Sequence, residues 1–462
     1  MDTPNPRTLL QLSLLLLVIT LAGCAQNAPY HTRSGAPGNC VTAPDSDSCR
    51  QSYFQEYEHF DLAFAEFSER GNAFSDAYLK DVKNRIAQKA ADKGVVLVIF
   101  VHGWKHNAAE TDSNLIDFKK SLGAINDALQ ARLKDSSLGE RDLVGLYIGW
   151  RGASIELEYL KQITFWDRKA VAEEVGKGGV TRLLLELDEI TDSDGKNVMV
   201  VIGHSFGGAI VTSALSEVLT ERATNRTQRS GYAPNIGDGV LVINPAIEAN
   251  QALNLVEATI QEDFRPEQNP LFVSLSTDAD GATHYAFPAG QTIGLLATWR
   301  QAELQRGYYR DRRDLAKEIP LSEKHLDANT VGNFAPFLTH RLTAVEGNGQ
   351  VKFEFETCDD NPEGCEPMGW TSLKGQPTVH PLPANYPLYF IKTDESLMTG
   401  HNDIFNERVN AFVVTVIDDV VSRTLSPRLR DEKAPGPRYR TSILNQPSRL
   451  EARVQEMLES AQ

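Results

Sequence analysis

The sequence predicts an α/β protein built around a mainly parallel sheet, and two observations lead to that class. Short apolar runs rich in β-branched residues recur along the chain, as is typical of strands that a parallel sheet buries on both faces. Segments with helical spacing separate these runs, which indicates right-handed crossovers with helices flanking the sheet. The predicted strands are an alternating one at Phe60–Phe67 and further runs at Val95–Val101, Leu143–Ile148, Val198–Ile202, Gly239–Asn244, Leu271–Ser276 and Leu388–Lys392.

The composition is that of a globular protein with an acidic surface. Hydrophobic residues make up 41% of the 462 residues and charged residues 23%, which argues against a mostly disordered or polytopic membrane protein. The length allows one enlarged domain or two. A formal net charge of -16 would repel phosphate backbones, so we expect no nucleic-acid partner.

The N-terminus has the pattern of a secretory signal peptide. Arg7 precedes the apolar run Leu9–Ala22, which is short for a membrane span. The run ends in Leu-Ala-Gly-Cys, which resembles a bacterial lipobox, whose cysteine is acylated and becomes the new N-terminus. We therefore expect a lipoprotein signal peptide at 1–23 and a lipid anchor on Cys24. The alternative is an ordinary signal peptide followed by a structural cysteine.

The predicted domain organisation follows from composition. Residues 24–50 are rich in Pro, Gly, Ser, Asn and Asp and are predicted to form a tether. Residues 51–425 form the α/β domain, which an insertion of about residues 283–387 interrupts before the last strand. That insertion is predicted to be cap-like, or else a solvated helix at Trp299–Arg306 with a surface loop. Residues 426–462 form a C-terminal extension.

The remaining four cysteines form two close pairs, Cys40 with Cys49 and Cys358 with Cys365. An even number outside the lipobox suits local disulfides in an oxidising compartment. Zinc is the competing use, but neither pair has the C-x-x-C spacing of common structural zinc sites.

The motif Gly-His-Ser-Phe-Gly at residues 203–207 is the strongest chemical signal in the chain. An apolar strand precedes it and the helical segment Ala209–Leu215 follows, which is the strand, sharp turn and helix of a nucleophile elbow. The glycines avoid collisions with the neighbouring strand and helix, and the turn exposes the serine. Ser205 is therefore the predicted nucleophile.

A serine hydroxyl needs a base and an acid that orients the base. His401 follows the last predicted strand, which is the expected place for the base. Asp278 and Asp280 both follow the run Leu271–Ser276, and spacing alone does not separate them. Glu248, after the preceding strand, is a weaker third candidate.

A resemblance to a known family rests on the segments Phe60–Gly71, Val101–Asn107, Tyr147–Gly152, the Ser205 motif, Asp280–Thr283 with Ala286–Pro288, and Gly400–Ile404. These segments resemble uncharacterised bacterial members of the α/β-hydrolase superfamily. The resemblance implies Asp280 as the acid, and it implies an oxyanion hole made by the backbone N–H groups of Trp104 and Phe206.

No metal or cofactor is expected. His102 and His106 are four residues apart, but they lie in a predicted loop with no third ligand nearby in sequence. The chain also lacks a phosphate-binding loop and a dinucleotide-binding glycine motif after a predicted strand.

The sequence therefore predicts a serine hydrolase that cleaves a small-molecule or lipid ester through an acyl-enzyme. It would be anchored to the bacterial cell envelope, facing the periplasm or the exterior. Acyl transfer by the same three residues, and a non-catalytic surface lipoprotein that binds a partner, are the alternatives. The sequence identifies no protein partner.

Overall fold

The computed structural model describes most of the chain downstream of the predicted lipobox. The described residues are 27–134, 140–152, 165–192, 196–225, 232–265, 268–288, 302–306, 310–311, 314–318, 320–347, 350–360, 365, 382–425 and 442–460. The predicted signal peptide and Cys24 lie outside the described residues, so the lipid anchor stays a prediction.

A ten-stranded sheet is the centre of the fold. Its strands are β1 (Phe54–Glu56), β2 (Asp61–Glu66), β3 (Val95–Val101), β4 (Asp142–Gly149), β5 (Val198–His204), β6 (Gly239–Ile243), β7 (Phe272–Thr277), β12 (His340–Gly347), β13 (Gln350–Thr357) and β14 (Leu388–Thr393). They run in the order β1-β2-β4-β3-β5-β6-β7-β14-β12-β13. Every neighbouring pair between β2 and β12 is parallel, whereas the outermost pair at each end is antiparallel. The predicted α/β class with a mainly parallel sheet is confirmed.

Helices cover both faces of this sheet. They are α1 (Asp47–Arg50), α2 (Asp76–Asp92), α3 (Ser113–Lys134), α4 (Phe165–Val175), α5 (Thr181–Asp192), α6 (Phe206–Asn225), α7 (Leu253–Thr259), α8 (Glu323–Ala328), α9 (Glu407–Leu425) and α10 (Pro447–Ser460). One apolar layer includes α2 and α4 to α7, and the other includes α3, α9 and α10. Leu97 and Ile99 of β3 face the first layer, while Val98 and Phe100 face the second. This burial on both faces explains why the central strands are continuous apolar runs.

The predicted tether is largely folded. His31 is buried, its ring stacks on Phe64 at 3.4 Å, and its Nδ1 lies 3.0 Å from Glu66 of β2. Cys40 and Cys49 form a disulfide in the same segment. Residues 30–50 therefore pack against the sheet, because one disulfide and the buried contact between His31 and Glu66 compensate for the few apolar side chains.

The region predicted as an insertion also contributes to the sheet. Strands β12 and β13 form a hairpin that extends the sheet beyond β14. The hairpin ends beside a second disulfide, between Cys358 and Cys365. A helix across Trp299–Arg306 is not observed where the structure describes that segment, because β8 (Glu303–Leu304) pairs with β11 (Leu321–Ser322). A second small sheet pairs β9 (Arg310–Asp311) with β10 (Asp314–Glu318).

The C-terminal part of the predicted extension packs onto the domain. Helix α10 buries Leu450, Val454 and Leu458 in the layer that contains α3 and α9. Within the described ranges, none of the helices combines the length and the apolar character that a membrane span requires.

The strand order determines where loops converge. From β3 the chain passes to β4, which lies on one side of β3. From β4 it passes to β5, which lies on the other side of β3. The crevice at such a switch point, at the carboxyl ends of the strands, is where open α/β sheets bind ligands. The turns that follow β3 and β5 meet at this point.

Candidate active site

Ser205 occupies a strained turn between β5 and α6. Its φ is 55°, in the left-handed region that a serine rarely adopts. The Ser205 N–H donates to the Ile243 carbonyl at 3.0 Å, and the Ser205 carbonyl accepts from Ala246 at 3.1 Å. Such strain, about 1–3 kcal/mol, persists only where the surroundings fix the backbone, and it is concentrated at functional sites.

Gly207 shows why the motif needs glycine after the serine. A Cβ at Gly207 would lie 2.0 Å from the Val101 carbonyl oxygen at the end of β3. No side chain fits at that distance, so the first turn of α6 reaches β3 only with glycine there. The close approach places the start of α6 beside the β3 turn.

The structure brings Ser205, His401 and Asp280 together. The Ser205 Oγ lies 2.7 Å from Nε2 of His401, and Nδ1 of His401 lies 2.7 Å from Oδ2 of Asp280. Asp280 follows β7 and His401 lies in the loop between β14 and α9. The nucleophile, base and acid are thus in hydrogen-bond contact in the order that acyl transfer requires. Their catalytic roles stay predictions.

The Asp280 carboxylate is fully buried and well supplied with donors. Its Oδ1 accepts from the backbone N–H groups of Ala282 and Thr283 at 2.9 and 3.1 Å, and its Oδ2 accepts from the Thr283 hydroxyl at 2.6 Å. Burial alone raises the pKa of Asp280, but His401 and these donors outweigh it and lower the pKa to about 2. Asp280 is therefore ionised at neutral pH and able to stabilise an imidazolium.

The two alternative acids have other partners. Asp278 pairs with Lys392 at 3.1 Å and with Arg341 at 3.4 Å. Glu248 pairs with Lys169 at 2.7 Å, and burial raises its pKa. Of the three candidates, Asp280 is the one that the structure places against His401.

Two residues that sequence reasoning missed fix the backbone of His401. Nε2 of His204 lies 2.9 Å from the His401 carbonyl, and Nδ2 of Asn244 donates to the same oxygen at 3.1 Å. His204 must be the donor, because a carbonyl oxygen only accepts. Burial and the neighbouring His401 lower the pKa of His204 well below its usual value, which keeps its ring neutral. Asn244 could have been suspected from its position directly after β6, where polar side chains reach the ligand-binding edge.

The two residues predicted to form an oxyanion hole flank Ser205. Phe206 is the first residue of α6, where the helix dipole favours negative charge. Trp104 lies in the turn after β3, and a Cβ at the preceding Gly103 would be 2.9 Å from the Ser205 Cβ. The indole of Trp104 and the ring of Phe206 have centroids 6.3 Å apart. Both residues thus lie beside the Ser205 turn, and the oxyanion hole stays a prediction.

His102 and His106 both support the turn after β3. His102 accepts from the Trp150 N–H through Nε2 at 3.1 Å, so its Nδ1 carries the hydrogen that it donates to Gly103 at 2.9 Å. Burial lowers the pKa of His102 to about 4, so the ring is neutral. His106 contacts Asp112 at 3.0 Å. The described residues contain no group of three His, Cys, Asp or Glu side chains arranged for a metal ion.

Comparisons with known proteins give little further information. No protein-family model and no curated protein matches the chain. Among solved structures, the chain is similar to phospholipase PlaB from Legionella pneumophila, solved in complex with thio-NAD, at 14% identity. The match covers 79% of this chain and 64% of that chain, with a TM-score of 0.24. The chain thus spans less than two thirds of the length of that protein, and so distant a likeness carries no argument about function.

Proposed function

We propose that the chain is a serine hydrolase that cleaves a carboxylic ester through an acyl-enzyme. The observation that carries the proposal is the unbroken contact from Ser205 through His401 to Asp280, two hydrogen bonds of 2.7 Å each, at a serine with positive φ. A serine, a histidine and a buried carboxylate in this order are the requirements for an activated hydroxyl nucleophile.

The proposed mechanism uses His401 twice. The Ser205 Oγ attacks the ester carbonyl carbon while Nε2 of His401 takes the hydroxyl proton, and Asp280 stabilises the resulting imidazolium. The tetrahedral oxyanion faces the N–H groups of Trp104 and Phe206. Collapse breaks the ester bond, and His401 returns the proton to the leaving alcohol. His401 then takes a proton from a water that attacks the acyl-enzyme, and it returns this proton to the Ser205 Oγ as the carboxylic acid is released.

Labelling with a fluorophosphonate probe tests this function. We expect wild-type protein to be labelled, Ser205→Ala to be inert, and His401→Ala to react at least about a thousandfold more slowly. Ser213→Ala is the matched control, since Ser213 lies in α6 and its hydroxyl makes no hydrogen bond within the described part of the chain. Labelling that survives in Ser205→Ala would leave a non-catalytic scaffold as the better explanation.

Hydrolysis and acyl transfer share these residues, and product analysis separates them. Incubation of a soluble ester with competing alcohols and amines should yield free acid as the main product. Predominant formation of the transferred ester or amide would make the protein an acyltransferase.

We also propose that the substrate is a membrane lipid ester and that Cys24 carries the anchor. The proposal is supported by the position of Asn27, three residues after Cys24, in an open pocket that Trp150 and Gly152 also line. A Cβ at Gly152 would lie 2.9 Å from the Gly103 carbonyl, beside the Ser205 turn. Three residues reach at most about 11 Å. The anchor would therefore keep this edge of the sheet close to the bilayer of the bacterial envelope.

Vesicles that contain a fluorogenic lipid ester test the anchor. The lipidated protein should hydrolyse this ester much faster than a Cys24→Ala chain that lacks the lipid, while both turn over a soluble ester equally. Equal rates on vesicles would contradict the membrane proposal and leave the hydrolase proposal intact.

A further inference from the structure

Three buried polar side chains behind Asp280 form a hydrogen-bonded chain that the mechanism above does not use. They are Thr283, Asn333 and Lys392, with exposed fractions of 2%, 3% and 1%. Nζ of Lys392 donates to Oδ1 of Asn333, and Nδ2 of Asn333 donates to Oγ1 of Thr283 at 3.1 Å. Thr283 in turn donates to the same Asp280 oxygen that faces His401.

The direction of every bond in this chain follows from its first member. A lysine ammonium can only donate, so the Asn333 atom that faces it must be the amide oxygen. The amide nitrogen of Asn333 then faces Thr283, whose hydroxyl must accept from it. The hydroxyl hydrogen of Thr283 is thereby directed at Asp280. Each bond presents its positive end toward the carboxylate, which favours its ionised form.

The three residues come from separate segments that the sheet edge brings together. Thr283 follows β7, Lys392 belongs to β14, and Asn333 lies in the region predicted as an insertion. A Cβ at Gly332 would lie 1.9 Å from the Ser276 Oγ, so only glycine allows the segment to lie this close to β7. Asn333 is therefore held beside Thr283 by a close backbone approach.

Other charged groups face this chain from the neighbouring elements. Lys392 lies 3.1 Å from Asp278, which also contacts Arg341 of β12. Burial lowers the pKa of Lys392, whereas Asp278 and Asp280 oppose that effect. His284 lies near the same residues, and burial together with Lys392 lowers its pKa. Asp278 thus compensates the charge of Lys392 and leaves Asn333 to connect the lysine with Thr283.

We propose that Lys392, Asn333 and Thr283 are positioning residues that orient Asp280 and maintain its charge, and so act on His401 through Asp280. The proposal rests on the proposed hydrolase function. It assigns to the region around Asn333 a part in the catalytic machinery instead of a purely cap-like role.

The alternative is that Lys392, Asn333 and Thr283 only satisfy one another's buried polar groups. The Asn333→Asp variant separates this structural role from the positioning role. The substitution keeps the side-chain shape and gives Lys392 a charged partner, so a structural role would be kept or strengthened. It also replaces the donor that faces Thr283 with an acceptor and adds a negative charge near Asp280. The positioning role therefore predicts slower fluorophosphonate labelling of a stably folded protein.

Thr283 provides a matched pair of variants. Thr283→Val removes the hydroxyl at nearly constant volume, and we expect the labelling rate to fall about 10- to 100-fold because a hydrogen bond to a charged group is lost. Thr283→Ser keeps the hydroxyl and should restore most of the rate. In Thr283→Val and Asn333→Asp, the acid limb of the labelling rate plotted against pH should move to higher pH. The reason is that the Asp280 carboxylate, which faces His401, loses a stabilising donor.

The Nδ1 proton resonance of His401 makes the result independent of activity. Measured by NMR in a Ser205→Ala background, this resonance should shift in Thr283→Val and Asn333→Asp and stay near its original position in Thr283→Ser. Unchanged labelling, pH profile and resonance in folded Thr283→Val and Asn333→Asp would overturn the positioning role. If wild-type protein is not labelled at all, the hydrolase proposal fails. The resonance alone then still decides whether Lys392, Asn333 and Thr283 act on His401.

Discussion

The turn that carries Ser205 and the corner that holds Asp280 lie at the same edge of the sheet but are built in different ways. The turn depends on residues adjacent in sequence, with a glycine that approaches β3 within a distance no side chain allows. The acid corner, defined here as Asp278, Asp280, Thr283, Asn333 and Lys392, joins three segments spread over more than a hundred positions. Its geometry depends on which side chain each aspartate meets.

The two aspartates of the acid corner show the consequence most clearly. They are two residues apart and their side chains are exposed by only 4% and 0%, yet Asp280 contacts a histidine and Asp278 a lysine. The same residue type therefore has a predicted role in catalysis at one position and compensates a buried cation at the other. Local sequence is enough to define the serine, whereas the acid is defined by its long-range partners.

The largest expected effect separates these aspartates. Asp280→Asn should reduce fluorophosphonate labelling about 10⁴-fold, because the histidine loses the carboxylate that orients it. Asp278→Asn should chiefly lower the free energy of unfolding, by about 3 kcal/mol, because it leaves the buried Lys392 poorly compensated. Labelling rates and urea unfolding of both variants test this. The assignment is wrong if Asp278→Asn loses labelling while Asp280→Asn retains it.

The next largest effect tests the local character of the Ser205 turn. Gly207→Ala should destabilise the protein by about 3 kcal/mol or more and abolish labelling, because the new Cβ would collide with the Val101 carbonyl. Gly123→Ala in α3 is the control, since a Cβ there meets nothing within 4 Å. This control should stabilise the helix by about 0.5–1 kcal/mol. A Gly207→Ala protein with normal stability would show that the turn tolerates more than the structure implies.

The smallest effect concerns stability in acid. The pKa of Asp280 is about 2 in the folded protein, against an ordinary 3.8. As the pH falls, the unfolded chain therefore binds a proton at Asp280 before the folded protein does. The contribution of Asp280 to the free energy of unfolding is present above about pH 4 and is lost as the pH falls to about 2. Over that interval, wild-type protein should lose about 2 kcal/mol more unfolding free energy than Asp280→Asn. Ser205→Ala should behave like wild type in these urea titrations, and parallel curves for all three proteins would contradict the low pKa.

Much of the sheet could be predicted from the sequence. The predicted strand Val95–Val101 has the same bounds as β3, because both faces of a central parallel strand are buried and the run is apolar throughout. The hairpin of β12 and β13 was not predicted, because charged residues separate Val351, Phe353 and Phe355 and leave no continuous apolar run like that of β3. Composition alone also failed to predict the folding of residues 30–50, where a disulfide and the contact of His31 with Glu66 hold a polar segment against β2.

The candidate site divides in the same way. Ser205 and His401 could be predicted from their positions, since each follows a strand that the sequence shows as an apolar run. His204, Asn244 and Lys392 could not be assigned roles, because each acts through a residue far away along the chain. A hydrogen bond depends on distance and direction, and neither is encoded in the spacing of the two partners.

The sequence by itself determined the fold class, the elbow at Ser205 and the edge where its partners must lie, because these depend on local sterics and on the period of apolar residues. Only the tertiary structure decided that Asp280 faces His401 while Asp278 faces Lys392. It also decided that Asn333 connects that lysine to the carboxylate through Thr283. The physical reason is that buried charges take their partners from whatever the folded chain brings within hydrogen-bond distance.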